Sequence, residues 1–290
     1  MSERAQLFGL GYRGYEGERR EPRWAMLTVA DFTVRRVLGL GRTSRHKVLP
    51  AITLAVAYVP ALVSVGLAVL LKNLKVDDLI TYGEYTFFIG SALALFAALI
   101  APEALCPDRR SGLLGLYLAG PLDRNRYLVA KAASVFSVML LITLGPLLFM
   151  LAAFVIAGHG PNAGHVPKLL LQMLVVGVVT ALGYAAISLA VSSFTTRRAA
   201  AAVGVVLLLF VPVIVVRSVI DSAGAPNALD LLSFPFVFSE LSYRVFDETH
   251  HDGTPIEELS TGLIALAAIG WILAGAAVCW LRYRRTEDYR

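Results

Sequence analysis

Four of the five histidines, His159, His165, His250 and His251, fall in connections between apolar runs, and the segment DETHHD sets His250 and His251 beside Asp247, Glu248 and Asp252. Imidazoles with carboxylates form a donor set for a transition metal. Closing such a site would bring together two connections far apart in sequence, whereas polar loop histidines are ordinarily solvated. No metal is therefore expected, and His250 and His251 are the candidates should one bind. The two cysteines, Cys106 and Cys279, sit near the ends of apolar runs that are expected to face a reducing cytosol, so no disulfide is expected and packing accounts for both. HExxH is absent, as is the Gly-x-Ser-x-Gly elbow, which removes the common hydrolase signatures. A phosphate-binding loop needs Gly-Lys, and none of the five lysines follows a glycine. Any ATP, with its magnesium, has to be held by a partner, and no cofactor is expected in this chain.

The segment densest in chemistry runs from Cys106 to Lys131: CPDRRSGLLGLYLAGPLDRNRYLVAK. Asp108, behind Pro107, can cap a short helix whose apolar surface is Leu113, Leu114, Leu116, Tyr117 and Leu118, with Arg109 and Arg110 at its start. Gly120-Pro121 stops it. At ten residues and 1.5 Å per residue, such a helix reaches only about half way across a bilayer. Asp123 can then cap the next helix, whose first turns place Arg124, Arg126 and Lys131 at the cytoplasmic surface. An apolar helix held on that side, with arginines at its start, is a surface for another protein.

Around this segment the chain is built for a bilayer. Of its 290 residues 57% are hydrophobic and only 16% charged, with a mean hydropathy of +0.68, which excludes an ordinary soluble domain. Six runs free of Lys, Arg, Asp, Glu and His are close to spanning length: 48–71, 86–102, 132–157, 169–194, 199–216 and 260–281. The first begins too late, behind too many arginines, to be a signal peptide. Placing both termini inside puts 21 of the 26 basic residues on the inner side and leaves only Lys72, Lys75, Lys168, Arg217 and Arg244 outside. The net charge of +5 then reflects orientation and contact with anionic lipid, and nucleic acid has no part. The organisation expected is a cytoplasmic segment 1–47, a six-helix membrane domain 48–281 and a cytoplasmic tail 282–290.

Two further stretches are apolar without spanning. Trp24 to Leu40 sets Leu27, Ala30, Val34 and Val37 on one face and Thr28, Asp31 and Arg35 on another, as in an interfacial helix lying among headgroups. The outer connection from Arg217 to Leu259 is too long to be structureless. Within it, 227–246 reads as two short helices broken by Pro235, with Phe234, Phe238, Leu241 and Val245 on one stripe. Asp230, Glu240 and Arg244 argue against a seventh span, so this is expected to be a shallow re-entrant hairpin on the outer face.

The order of these parts, and DRRSGLLGLYLAGPLDRNRYLVAK above all, resembles the permease subunits of type-2 ATP-binding cassette (ABC) transporters. That family has an acidic-Arg pair, a Ser-Gly-Thr-Leu-Glu-like helix start, a Pro with a following basic residue, and a Lys opening span three. Asp108-Arg109, Ser111-Gly112, Leu114, Pro121, Arg124 and Lys131 match in order; Leu113 replaces the Thr and Gly115 the Glu, so a contact through that Glu does not carry over. The resemblance implies an exporter in the bacterial plasma membrane, in which two permeases, identical or homologous, form the pathway. It also implies two ABC ATPase subunits that dock on the coupling residues Asp108, Arg109, Arg110, Leu113, Leu114, Leu116, Tyr117 and Leu118.

An ion-coupled secondary transporter is the main alternative, and a membrane-embedded enzyme the third reading. Carriers place ionisable residues near the midplane, and all six runs lack them. Glu103, beside Pro102, comes nearest, and a boundary carboxylate facing Arg109 or Arg110 is the reading preferred. Pro60, Pro146 and Pro212 can kink their helices, although proline is common in spans.

Overall fold

The computed structural model describes residues 22–41, 43–70, 81–113, 117, 122–158, 160–162, 164–248 and 255–285. They form helices and connections, with no strand among the described residues. Helix α1 (Pro22–Val37) precedes α2 (Arg45–Leu70), α3 (Tyr82–Leu95) and the single turn α4 (Cys106–Arg110). Then come α5 (Arg124–Ile156), α6 (Val166–Ser192), α7 (Arg198–Ala223), the short α8 (Phe234–Val245) and α9 (Thr261–Arg285). Six helical stretches are long and apolar enough to cross a membrane: α2, the continuous run Tyr82–Arg110, α5, α6, α7 and α9. The chain is an all-α, multi-pass membrane protein. Six crossings return both ends of the described chain to one side, here called the terminal face; the opposite side is the far face.

The run Tyr82–Arg110 and α6 are the most enclosed, while α2, α7 and α9 keep apolar flanks such as Leu62, Ile214 and Leu266 exposed. Helices in lipid gain little from apolar burial alone, so shape fit and internal hydrogen bonds hold the bundle. Gly183 shows the fit: a Cβ there would lie 2.4 Å from the Phe238 ring, so only glycine lets α8 approach α6 this closely. The prolines at 60, 146 and 212 sit within helices that continue past them.

Helix α3 starts with a capping box, in which Thr81 Oγ1 accepts from the Glu84 amide and the Glu84 carboxylate accepts from the Thr81 amide. Beyond Leu95 the second span departs from the uniform helix its apolar run suggests. Phe96–Ile100 forms a π turn and Ala101–Ala104 a 3₁₀ turn before α4. Pro102 explains this, since it has no N–H to continue the ladder and its ring crowds the preceding turn. The Ala101 amide reaches back five residues to Phe96. By the same spacing the donor to Ala97 would be Pro102, and the Ala97 carbonyl instead accepts Ser188 Oγ at 2.8 Å.

On the far side, Asn227–Leu232 is a 3₁₀ turn leading into α8. Pro235 lies in the first turn of α8, where a missing N–H costs nothing. Phe234 is fully buried, edge-on to Tyr184 at 4.9 Å and Trp271 at 5.7 Å, and 4.5 Å from Phe238. Trp271 Nε1 donates to the Leu231 carbonyl at 3.1 Å. Trp271 lies ten residues into α9, about 15 Å at 1.5 Å per residue. The start of α8 thus sits well inside the bundle. Its end returns to the far face, where Phe246 packs 5.8 Å from Tyr82 and Glu248 accepts from the Tyr82 and Gly83 amides. Of the expected stripe, Phe234 and Phe238 are buried while Leu241 and Val245 are half-buried. Twelve residues make α8 too short to be a seventh span. Arg244 pairs with Glu240 at 2.7 Å and donates to the carbonyls of Glu257 and Leu259, while buried Asp230 lies 3.5 Å from Arg217.

Helix α1 differs from its expected face. Val29, Thr33 and Val37 are buried, Ala30 and Val34 pack at their edge, and Leu27 is exposed with Trp24 and Phe32. The reason is polar, because Thr33 and Ala30 both bond to α5.

Candidate functional site

The terminal face gathers ionisable side chains from five segments. Asp108, fully buried in α4, receives Arg36 of α1 at 2.8 Å, the Tyr127 hydroxyl at 2.9 Å and Lys131 of α5 at 2.6 Å. Lys131 is 1% exposed, donates to Thr33 Oγ1 at 3.0 Å, and lies 5.5 Å above the Tyr127 ring and 6.0 Å from that of Tyr117. Ser134, one turn further along α5, donates to the Ala30 carbonyl at 3.0 Å. Glu103, in the 3₁₀ turn, pairs with Arg198 of α7 at 3.0 Å and lies 4.0 Å from Arg36. Lys131, Asp108, Arg36, Glu103 and Arg198 therefore form a chain of alternating sign through four helices and the 3₁₀ turn. Arg109 donates to the Ser193 carbonyl at the end of α6 and covers the ring of Tyr283 in α9 at 5.9 Å. Cys106 donates to the neighbouring Ser192 carbonyl at 3.9 Å.

Burying such ions costs several kcal/mol apiece, which their attraction offsets only when geometry and hydrogen bonding are good. Asp108 meets that condition with three donors. The arrangement cements α1, α4 and the start of α5 into one unit. Tyr117, whose ring is 5.6 Å from Tyr127, rests on that unit, and burial with the nearby Asp108 carboxylate raises its pKa.

Several sequence expectations change. Asp108 is an interior residue of α4, not the residue before a helix, and faces into the protein. Ser111-Gly112 ends α4 instead, with the Ser111 amide and hydroxyl both on the Pro107 carbonyl and Gly112 at φ +68°, a left-handed stop that favours glycine. Asp123 does occupy the N-cap position of α5, but its carboxylate makes no capping bond and pairs with Arg126 at 3.7 Å. Lys131 lies in the interior, not at the surface. Glu103 meets Arg198 at 3.0 Å and Arg36 at 4.0 Å, cations from two other helices. Arg110 is exposed and Leu113 half-buried, while Leu114, Leu116 and Leu118 lie outside the described residues.

The outer metal candidates His250 and His251 lie outside the described residues, as do His159 and Asp252. Asp247 pairs with Lys168 at 2.7 Å and Glu248 caps α3. No cluster of three metal-ligating side chains occurs among the described residues. Both cysteines are buried and unbridged.

A family model described as ABC-2 family transporter protein matches residues 29–287. The chain belongs to the ABC-2 transporter family. It is thus a membrane-embedded permease subunit of an ABC transporter, which sets aside the ion-coupled carrier. Association with ABC ATPase subunits and with a membrane follows from the same membership. No curated protein matches the chain. The matched segment takes in α1 from Val29 onward and all six spans, so the charge cluster that joins α1 to α4 and α5 is inside the family's domain and not an appendage to it.

Proposed function

We propose that this ABC-2 permease is half of a dimeric exporter in a bacterial plasma membrane, with its terminal face in the cytoplasm. Two ATPase subunits hold ATP and magnesium and dock on the segment that begins at Arg109, Arg110 and Leu113 and continues through Leu114, Leu116, Tyr117 and Leu118. The excess of basic residues on the terminal side supports that orientation. On the same reading, α1 lies among inner headgroups with Trp24, Leu27 and Phe32 outward, and α8 re-enters the bilayer from outside. The substrate pathway, free of charge in its apolar runs, suits an amphipathic molecule.

One observation carries the coupling assignment: the buried Asp108 cluster ties the residues on either side of the docking segment to α1 and α5. A load placed on that segment by a nucleotide-driven partner is therefore delivered to span three and to the N-terminal helix together. Asp108 acts here as a positioning residue, and contact with the partner falls to Arg110, Leu113 and the apolar residues after it.

Leu116→Asp tests the reading. Losing a docked leucine costs about 1.5–3 kcal/mol of burial and leaves a stranded charge, enough to weaken docking more than tenfold. The variant should insert and pair as the native chain does, release the ATPase on co-purification, and abolish transport. Retained ATPase with normal transport would remove the coupling role. Tyr117→Asp is a poorer probe, because it sets a second carboxylate close to Asp108.

A further inference from the structure

A groove of about 520 Å³ opens sideways near the terminal face, with α6 as its floor and α5 and α9 as its walls. Its lining is almost wholly apolar, including Leu128, Ala132 and Phe136 on one side, Ala185 and Leu189 below, and Ala276 opposite. The floor is fixed by a tight crossing, since a Cβ at Gly275 would stand 2.9 Å from the backbone of Ala186. Lys131 touches the groove, but its charge is already matched by Asp108.

The groove runs from Asn125 to Phe136 along α5, eleven residue steps, or about 16 Å at 1.5 Å per residue, close to the ~15 Å of one hydrocarbon leaflet. At the Asn125 end it meets a second, polar hollow of about 270 Å³ lined by Asp123, Arg124, Asn125, Trp280 and Arg284. Asn125 and Trp280 belong to both. Trp280 Nε1 donates to Asn125 Oδ1 at 3.2 Å, the Arg284 guanidinium covers the Trp280 ring at 5.3 Å, and Arg124 donates to the Arg284 carbonyl at 3.4 Å. Among the described residues that line the hollow Asp123 is the one acid, and it pairs with Arg126 at 3.7 Å.

We propose that this is a binding site for an anionic phospholipid of the leaflet at the terminal face, its phosphate on Arg124 and Arg284 and one acyl chain along the groove. The length fits a leaflet, the apolar wall fits a chain, and two guanidiniums against one already paired carboxylate select a negative headgroup. Trp280 sits where the two parts meet, the level at which indole rings favour a bilayer interface. Neither Arg124 nor Arg284 belongs to the docking segment, so this site stands or falls apart from the coupling reading.

Trp280 is also the reporter. In reconstituted full-length protein, the emission lost in Trp280→Phe is quenched by lipids brominated high on the acyl chain. Brominated phosphatidylglycerol should reach half-quenching at a several-fold lower mole fraction than brominated phosphatidylcholine, and added salt should narrow the gap. Arg124→Gln with Arg284→Gln should erase the preference while Trp271 emission stays native, and Ala276→Leu, which narrows the groove, should weaken quenching by both lipids. Equal curves for the two headgroups, or a preference that survives loss of both arginines, would overturn the site. Absence of quenching by either lipid would do the same and point to a second copy covering the groove.

Discussion

The terminal face and the middle of this bundle are held by opposite chemistry. At the terminal face Lys131, Asp108, Arg36, Glu103 and Arg198 follow one another with alternating sign, tightest at Asp108, whose contacts are 2.6 and 2.8 Å, and looser between Arg36 and Glu103 at 4.0 Å. Midway along the bundle, Phe234, Phe238, Tyr184 and Trp271 interlock mainly through ring contacts, which can slide and tilt at small cost. A buried ion pair is directional and loses heavily when one member is removed, whereas an aromatic cluster degrades gradually. On the coupling reading proposed above, a partner would push on the stiff end and a passage would open where the rings pack.

The largest effect expected is at Asp108. Asp108→Ala leaves Lys131 and Arg36 buried without it, so a loss of about 3–5 kcal/mol is expected, seen as a large fall in thermal midpoint and in purified yield. Adding Lys131→Met should restore part of that stability by removing one stranded charge. A single variant as stable as the native protein would show that the stiff end is not held by charge. Phe234→Ala comes next, costing about 3 kcal/mol at the lower end for such truncations, because lipid or neighbouring rings can move into the space. Its separate signature is that ATPase co-purification stays intact while transport falls; loss of ATPase binding would mean that the two regions are not mechanically distinct.

The smallest effect concerns pH at the far rim. Burial raises the pKa of Glu248, so the stability this group contributes is fully present in acid and is lost as pH rises through its raised value. Asp247 has the opposite sign, its pKa lowered by Lys168, so its contribution is present at neutral pH and disappears as pH falls through the lowered value. Glu248→Gln should flatten the decline in thermal midpoint as pH rises through the raised value, and Asp247→Asn should flatten the fall as pH drops through the lowered one. An unchanged profile in Glu248→Gln would place the pH response elsewhere.

Much of the architecture was legible in the sequence because a bilayer imposes a simple rule: apolar runs of fixed length become helices, and their charged flanks mark the ends. That rule locates all six spans and the 12-residue helix between the last two. The same rule hid the cluster. Lys131 stands beside an apolar run and reads as a headgroup anchor, yet its partner Asp108 lies 23 positions earlier and Thr33 another 75 before that. A signal was present in the spacing of Tyr127, Lys131 and Ser134, which puts three polar groups on one face of α5, where they meet α4 and α1. The break in the second span was likewise announced by Pro102, but whether a proline bends, widens or merely interrupts a helix depends on what takes up the orphaned carbonyl. Here Ser188 does, from a helix 91 residues away.

That interruption makes the second span a jointed rod. Its far section is pinned to the residues that follow α8 through Phe246 and Glu248, its terminal section to α1 and α5 through Asp108, and between Leu95 and Cys106 the ladder changes pitch three times, from α to π to 3₁₀ and back to α. Torsion is carried along a helix by its regular ladder, so the π and 3₁₀ turns are where a twist applied near Arg110 would be taken up. On the coupling reading proposed above, such an element would work as a piston with a swivel, its terminal section tilting with a docked partner and its far section answering mainly to displacement along the axis.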